Sequence, residues 1–252
     1  MTHDLYLKSV DINKQDIPHS DYIYDLPIVK NFSKINFEFP ITIFVGENGL
    51  GKSTLIEAIA TKYGFNAEGG SRNFNFHTRR TESDLNKYVK LVRSAYRAYD
   101  GYFLRSESMY NVASHMDKLD TLKCNAPLIR GGYGGKSLHN QSHGESFLSI
   151  FFKRFFGNGL YILDEPEAAL SPVSQMSLLI RINELVKKNS QFIIATHSPI
   201  LLACPNAQIL EITESGIIEK SYRDTEHFRV MENFFKDPKA TVSRLLETNS
   251  DL

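Results

Sequence analysis

Apolar residues gather in short unbroken runs separated by polar stretches, and these runs alternate with segments of helical spacing. Ile41-Thr42-Ile43-Phe44-Val45 is rich in β-branched residues and too short for a helix, so it reads as a strand. Leu160-Tyr161-Ile162-Leu163 and Phe192-Ile193-Ile194-Ala195 repeat the pattern. Bulky residues in succession suit strands covered on both faces, as in a parallel sheet. From Ser53 to Lys62, residues Leu55, Ile56, Ile59 and Ala60 recur at helical spacing. Ser171-Pro172 starts another helix with proline in its favoured first turn, and Met176, Leu179, Ile182 and Val186 mark its expected buried stripe. Strands are also expected at about Leu5 to Ile12 and Ile35 to Phe39, with a hairpin turning at Glu214-Ser215-Gly216. Residues from about 81 to 156 read as mainly helical, and helical segments close the chain.

The polar residues that follow the apolar runs bring in chemistry. Gly46-Glu47-Asn48-Gly49-Leu50-Gly51-Lys52-Ser53-Thr54 is a full match to the phosphate-loop pattern G-x-x-x-x-G-K-[ST], placed between a strand and a helix as that pattern requires. Glycines let backbone N–H groups approach a dense anion without a Cβ in the way. The helix start beyond them adds unpaired donors and a favourable dipole. Lys52 is then the compact positive charge for the β- and γ-phosphates, and the Ser53 hydroxyl a ligand for Mg²⁺, which keeps several waters.

The run at Leu160 ends in Asp164-Glu165-Pro166, and parallel sheets present ligands at the carboxyl ends of their strands. Both acids should therefore fall beside the loop, Asp164 anchoring Mg²⁺ and Glu165 polarising the attacking water. The third run ends in Thr196-His197-Ser198, where a ring nitrogen could reach the γ-phosphate or the water. His3, His19, His77, His115, His139 and His227 lack metal-ligand spacing and receive no role.

Composition limits the partners. The 252 residues are 42% hydrophobic, enough to fill a real core in one large or two small domains. Basic and acidic residues balance at 29 each, which withholds the global field of a dedicated DNA coater. Basic residues and aromatics interleave from Gly70 to Arg80, which reads as a solvated hairpin edge or an arginine serving the nucleotide in preference to a nucleic-acid platform; Arg72 is a candidate γ-phosphate contact. No run of eighteen apolar residues occurs and Met1 to Tyr6 lacks a signal-peptide pattern, so a cytoplasmic location without membrane insertion is expected. Only Cys124 and Cys204 occur, which argues against a disulfide framework.

The loop, in its G-x-N-G-x-G-K-S-T form, and Asp164-Glu165-Pro166-Glu167-Ala168-Ala169-Leu170-Ser171, which looks like a Walker B motif running into a D-loop, resemble the ABC-type ATPases, in particular the SMC/RecF-like heads. Ser142-His143-Gly144-Glu145-Ser146 stands where that class keeps its signature. Segments Gly64 to Asn73, Phe103 to Ser108 and Gln141 to Phe147 also resemble a bacterial group of short ATPases labelled "AAA family ATPase", over about residues 25 to 230.

The resemblance implies an α/β P-loop NTPase of ABC type: a mixed sheet with an antiparallel portion and a helical signature subdomain, in one domain over 1–252 with lobe I at about 1–80 and 157–252 and a helical lobe at about 81–156. It implies ATP and Mg²⁺, His197 as switch histidine, and Phe103-Leu104-Arg105-Ser106-Glu107 in the Q-loop place, with Glu107 a candidate metal contact. Ser142, Gly144 and Glu145 are implied to face the γ-phosphate held by a second copy in a head-to-tail homodimer. The chain departs from the pattern at His143 for glycine, at Ser106 or Glu107 where glutamine is usual, and at Ser171 for the D-loop aspartate. Roughly ninety residues separate loop from signature, too few for a long coiled-coil arm. The function implied is an ATP-hydrolysing switch acting on a protein or DNA partner, in genome maintenance or defence. The alternative is the nucleotide-binding subunit of a membrane transporter whose spanning chains are separate; the departure at the Q-loop speaks against it.

Overall fold

The computed structural model describes residues 5–72, 83–121 and 143–248. In chain order, β1 (Leu7–Ile12), α1 (Tyr22–Asp25), α2 (Pro27–Lys30) and β2 (Ile35–Asn36) lead to β3 (Ile41–Gly46) and α3 (Lys52–Tyr63). β4 (Gly70–Ser71), β5 (Val89–Arg93), β6 (Asp100–Arg105), α4 (Met109–Thr121) and α5 (His143–Ser149) follow. β7 (Gly159–Asp164), α6 (Pro172–Val186), β8 (Gln191–Ala195), α7 (Pro199–Leu202), β9 (Ala207–Thr213), β10 (Gly216–Lys220), α8 (Glu226–Lys236) and α9 (Pro238–Thr248) complete the described chain.

The larger sheet has the order β10-β9-β3-β8-β7-β6-β4, and a smaller one the order β2-β1-β5. Five neighbours, β9, β3, β8, β7 and β6, run parallel, while β10 and β4 pair antiparallel at the edges. The unbroken apolar runs follow from this. All six residues of β3 and of β7 are buried, because each strand faces a core on both sides. Phe44, Phe103, Ile162 and Ile193 face the cluster built with α3 and the smaller sheet. Their neighbours Ile43, Tyr102, Tyr161 and Ile194 face the cluster that holds Phe147, Phe151, Leu178 and Ile182. Among the described residues no helix is long and apolar enough to cross a membrane.

Two expectations need correction. The stretch from about 81 to 156 is not mainly helical at its start: β5 and β6 occupy Val89–Arg93 and Asp100–Arg105, and α-helix begins at Met109 after short 3₁₀ turns at Asp84–Lys87 and Ser106–Ser108. The Tyr102-Phe103-Leu104 run makes β6 an inner strand of the larger sheet, buried on both faces. The buried stripe of α6 is Leu178, Ile182 and Leu185, whereas Met176 is 53% exposed. Leu179 and Val186 flank that stripe, partly buried against the same cluster. Ser171 does cap α6, its hydroxyl accepting from the Ser174 amide at 3.2 Å. The Glu214-Ser215 turn joins β9 to β10 through a register that pairs Thr213 with Gly216.

Because the central strands are parallel, their carboxyl ends share one edge of the sheet. Register places Arg105 opposite Asp164, Asp164 opposite Ala195, and Ala195 opposite Phe44. That edge is where the polar ends of the runs collect.

Candidate functional site

The glycine loop bridges β3 and α3 and owes its shape to two positions that exclude a side chain. Gly46, at φ +146°, lies where a Cβ would sit 2.4 Å from the Ile212 carbonyl oxygen of β9. Gly51, at φ +95°, lies where a Cβ would sit 2.5 Å from Cγ2 of Ile28. The loop is thus wedged between β9 and α2, and the Ile28 amide donates to the Leu50 carbonyl at 3.2 Å. Lys52 opens α3, buried, with its ammonium donating to the carbonyls of Gly46 at 2.7 Å and Glu47 at 2.6 Å. An ammonium has three donors, so one remains beyond these two. Burial pulls Lys52 below its ordinary pKa, opposed by the charges of Glu165, Asp164, Glu167 and Glu47.

Ser53 is one residue further along α3, and its hydroxyl donates to Oδ1 of Asp164 at 3.0 Å across 111 residues of sequence. Asp164 ends β7 and is 4% exposed. Burial pushes its carboxyl up to about 6, against the opposing pull of the Ser53 hydroxyl and the Arg105 guanidinium. A hydroxyl and a carboxylate at one point are hard oxygen donors, and Mg²⁺ is commonly held by one or two such groups plus waters and phosphate oxygens. Ser53 and Asp164 supply two such oxygen donors, which leaves the rest of an octahedral shell to waters and phosphate oxygens.

Glu165 adopts φ +48°, a left-handed conformation that is strained for a side chain with a Cβ. Its amide donates to the Ala195 carbonyl at 2.9 Å, and its own carbonyl accepts from the Ser106 hydroxyl at 2.5 Å, so β8 and the end of β6 hold the strained turn between them. Its side chain is 41% exposed, with Oε1 3.7 Å from Nε2 of His197. The His197 amide donates to Oε1 of Glu167 at 2.6 Å, and its Nδ1 lies 3.1 Å from Nε2 of His227 on α8. Burial lowers His197 to about 4, assisted by Lys52 and His227, which leaves the ring neutral near pH 7.

The remaining loop residues surround this centre. Glu47 and Asn48 are exposed and line a cleft of about 540 Å³ with His197, His227, Val230 and Met231; Gly49 is exposed and Thr54 sits half-buried in the first turn of α3. Glu107 is brought in indirectly: its Oε2 accepts from Arg105 Nη2 at 3.1 Å, and Arg105 Nε lies 3.7 Å from Asp164. Gly144 abuts the segment after β7, since a Cβ there would lie 2.9 Å from the Ala169 carbonyl oxygen; Glu145 beside it is exposed. Ser142 lies outside the described residues, as do Cys124 and the part of the basic and aromatic segment from Asn73 to Arg80.

Arg72 is not brought to the loop. β4 runs antiparallel to β6, so the chain leaves the sheet at the edge opposite Arg105, and the Arg72 guanidinium donates to the Ala98 carbonyl at 2.8 Å. Sequence reasoning in turn gave no role of its own to Arg105, which stands in the expected Q-loop segment and ties Glu57 of α3 at 2.5 Å to Asp164, or to His227. Arg105 shared the signal that exposed Asp164, a polar residue ending an apolar run; nothing local marked His227. Cys204 is buried and its thiol is pushed up to about 11, far from a reactive thiolate.

A strand, a glycine loop, a helix and a neighbouring strand that ends in a carboxylate on the helix's first serine define a P-loop nucleotide-binding domain. A family model described as "AAA domain" matches residues 25–152, half of the chain, and the chain belongs to that family. A second model, described as "AAA domain, putative AbiEii toxin, Type IV TA system", matches residues 141–203. No curated protein matches the sequence. Among solved structures, the chain is similar to the ADP conformation of MJ1267, an ATP-binding cassette of an ABC transporter, at 15% identity over 84% of this chain and 91% of that one, TM-score 0.48. It is similar to an SmcHead bound to the C-winged helix domain of ScpA at 13% identity over 86% and 98%, TM-score 0.49. A third is cbiO1 from Clostridium perfringens, part of the ABC transporter complex cbiONQ, at 17% identity over 85% and 90%, TM-score 0.44.

Proposed function

We propose that the chain binds ATP with Mg²⁺ at the glycine loop, hydrolyses it to ADP and phosphate, and switches between a single copy and a head-to-tail pair as it does so. The observation that carries this reading is the Ser53 to Asp164 hydrogen bond, which joins the loop helix to the acidic strand end. Loop amides and the third donor of Lys52 receive the phosphates. Ser53 and Asp164 would hold Mg²⁺, which when bound would supply positive charge to offset that of the phosphates. Glu165 orients the water. As that water adds to the γ-phosphorus, it gives a proton to the Glu165 carboxylate while the bond from phosphorus to the β–γ bridging oxygen breaks and ADP departs. His197 reads the γ-phosphate through a ring N–H.

Gly144 and Glu145 at the start of α5, with Ser142 before them, face the nucleotide of a second copy, an arrangement that a two-fold axis makes self-complementary. The partner that reads the switch is a protein, with DNA the weaker candidate. The match of residues 141–203 to a model described for a toxin system supports defence over genome maintenance.

Lys52→Ala should abolish nucleotide binding. Glu165→Gln should keep binding and stop turnover, because the loss falls on the chemical step, and it should accumulate as an ATP-bound dimer by light scattering. Wild-type phosphate release no faster than that of Glu165→Gln would remove the catalytic reading. A Glu165→Gln protein that stays monomeric in saturating ATP would remove the sandwich.

A further inference from the structure

The histidine pair is built from two ends of the fold. His197 follows β8 at the site edge, while His227 sits in the first turn of α8. That turn is anchored independently: Thr225 is fully buried and caps α8 by accepting from the Phe228 amide at 3.3 Å, and the Glu226 amide donates to Oε1 of Glu211 on β9 at 3.2 Å. β9 neighbours β3, the strand that feeds the glycine loop, so His227 is held against the same frame as Lys52.

One proton lies between Nδ1 of His197 and Nε2 of His227, and two arrangements are available. With the proton on His197 Nδ1, its Nε2 turns a bare lone pair toward the Glu165 carboxylate 3.7 Å away. That Nε2 is buried and has no hydrogen-bond partner, so nothing offsets the repulsion. With the proton on His227 Nε2, His197 accepts on Nδ1 and carries its own hydrogen on Nε2, aimed at the carboxylate. The bare nitrogen is then His227 Nδ1, also buried without a partner but on the ring's other side. We propose that His227 is a positioning residue: by donating to Nδ1 it works with the Glu165 carboxylate on the ring's other side to fix His197 in the Nε2–H tautomer, the form that presents a donor to the γ-phosphate. Its purpose rests on the reading of His197 given under the proposed function; the tautomer itself does not.

The charges around the pair do not favour a second proton. Lys52 opposes a charge on either ring, Glu226, Glu211 and Glu47 favour one on His227, and burial dominates all of them by lowering both groups. Each ring therefore has a single N–H to place, and the partner of one nitrogen decides where the other points.

Histidine-selective ¹⁵N labelling tests this at pH 7 without nucleotide, with the His197 signals assigned by their loss in His197→Gln. Wild type should show His197 protonated on Nε2. His227→Phe, which keeps a ring but no donor, should leave the Glu165 carboxylate alone to favour the Nε2–H form and so admit a measurable fraction of the Nδ1–H tautomer, and His227→Gln, whose amide supplies an N–H, should remove that fraction. Turnover should fall about ten-fold in His227→Phe through kcat at unchanged KM, as loss of a supporting partner typically does, and recover in His227→Gln. An Nδ1–H tautomer in wild type, or a tautomer unmoved in a folded His227→Phe protein, overturns the proposal. Expected tautomers in a protein without ATP turnover would uphold it and count against the catalytic reading alone.

Discussion

Asp100 should prove one of the costlier positions in the chain to truncate, although it stands at the end of the sheet remote from the glycine loop. It opens β6, and its carboxylate accepts from Arg154 Nη1 at 2.8 and 3.0 Å and from the Tyr161 hydroxyl at 2.8 Å. Arg154 ends the π-helical turn Ile150–Arg154 that continues α5, so this carboxylate seats α5 on β6 and β7. Side-chain exposure is 9% for Asp100 and 18% for Arg154. Removing one partner of a buried pair typically costs 3–5 kcal/mol, and the partial exposure of Arg154 puts Asp100→Ala at the low end, about 3 kcal/mol. Tyr161→Phe removes a donor to that carboxylate and the acceptor of the buried Gly157 amide at 3.2 Å while leaving the ion pair, so it should cost about 2 kcal/mol. The two changes share a hydrogen bond and should not add: in the Tyr161→Phe background, Asp100→Ala should cost about 1 kcal/mol less than alone. Urea unfolding at pH 7, with slopes checked for constancy, measures all three. An Asp100→Ala loss within about 1 kcal/mol of zero, or a larger loss for Tyr161→Phe, would contradict the assigned network.

The glycine loop offers a contrast between two alanines. A Cβ at Gly46 would meet the Ile212 backbone oxygen at 2.4 Å, so Gly46→Ala should lose about 3 kcal/mol or fail to fold, while Gly49→Ala, with nothing within 4 Å of its Cβ, should lose only the ~1–2 kcal/mol of its left-handed backbone; melting temperatures in the reverse order would refute the wedge. For His197, the folded value of about 4 lies below the ordinary 6.5, so the native state binds fewer protons and its contribution, full above pH 6.5, is lost as pH falls toward 4. With its side chain 29% exposed, the loss should be about 2 kcal/mol relative to His197→Gln between pH 7.5 and 4, and parallel stability curves for the two proteins would exclude it.

Much of the site could be read from the chain because a doubly covered strand announces both its burial and its end. Ile41 to Val45, Leu160 to Leu163 and Phe192 to Ala195 are apolar throughout, and the first polar residues after them mark the carboxyl edge of a parallel sheet. The same rule covers Arg105 after Tyr102-Phe103-Leu104, and it places this arginine between Glu57 and Asp164. What stayed hidden depends on direction and on distance. Arg72 follows a two-residue strand, and its distance from the loop is decided by antiparallel pairing to β6, which no local pattern encodes. On α6, Ile182 belongs to the expected and the observed stripe alike, and helical spacing alone cannot choose between Met176 and Leu178 as its neighbour; the position of the sheet does. His227 is the extreme case, because β9, the hairpin and a cap on Thr225 must all form before the ring reaches His197. A residue placed by so many intervening contacts responds to anything that moves α8, whereas Asp164 is placed by the sheet register and the first turn of α3. The site thus joins a core defined by strand ends to a histidine whose position reports on the carboxyl-terminal helices.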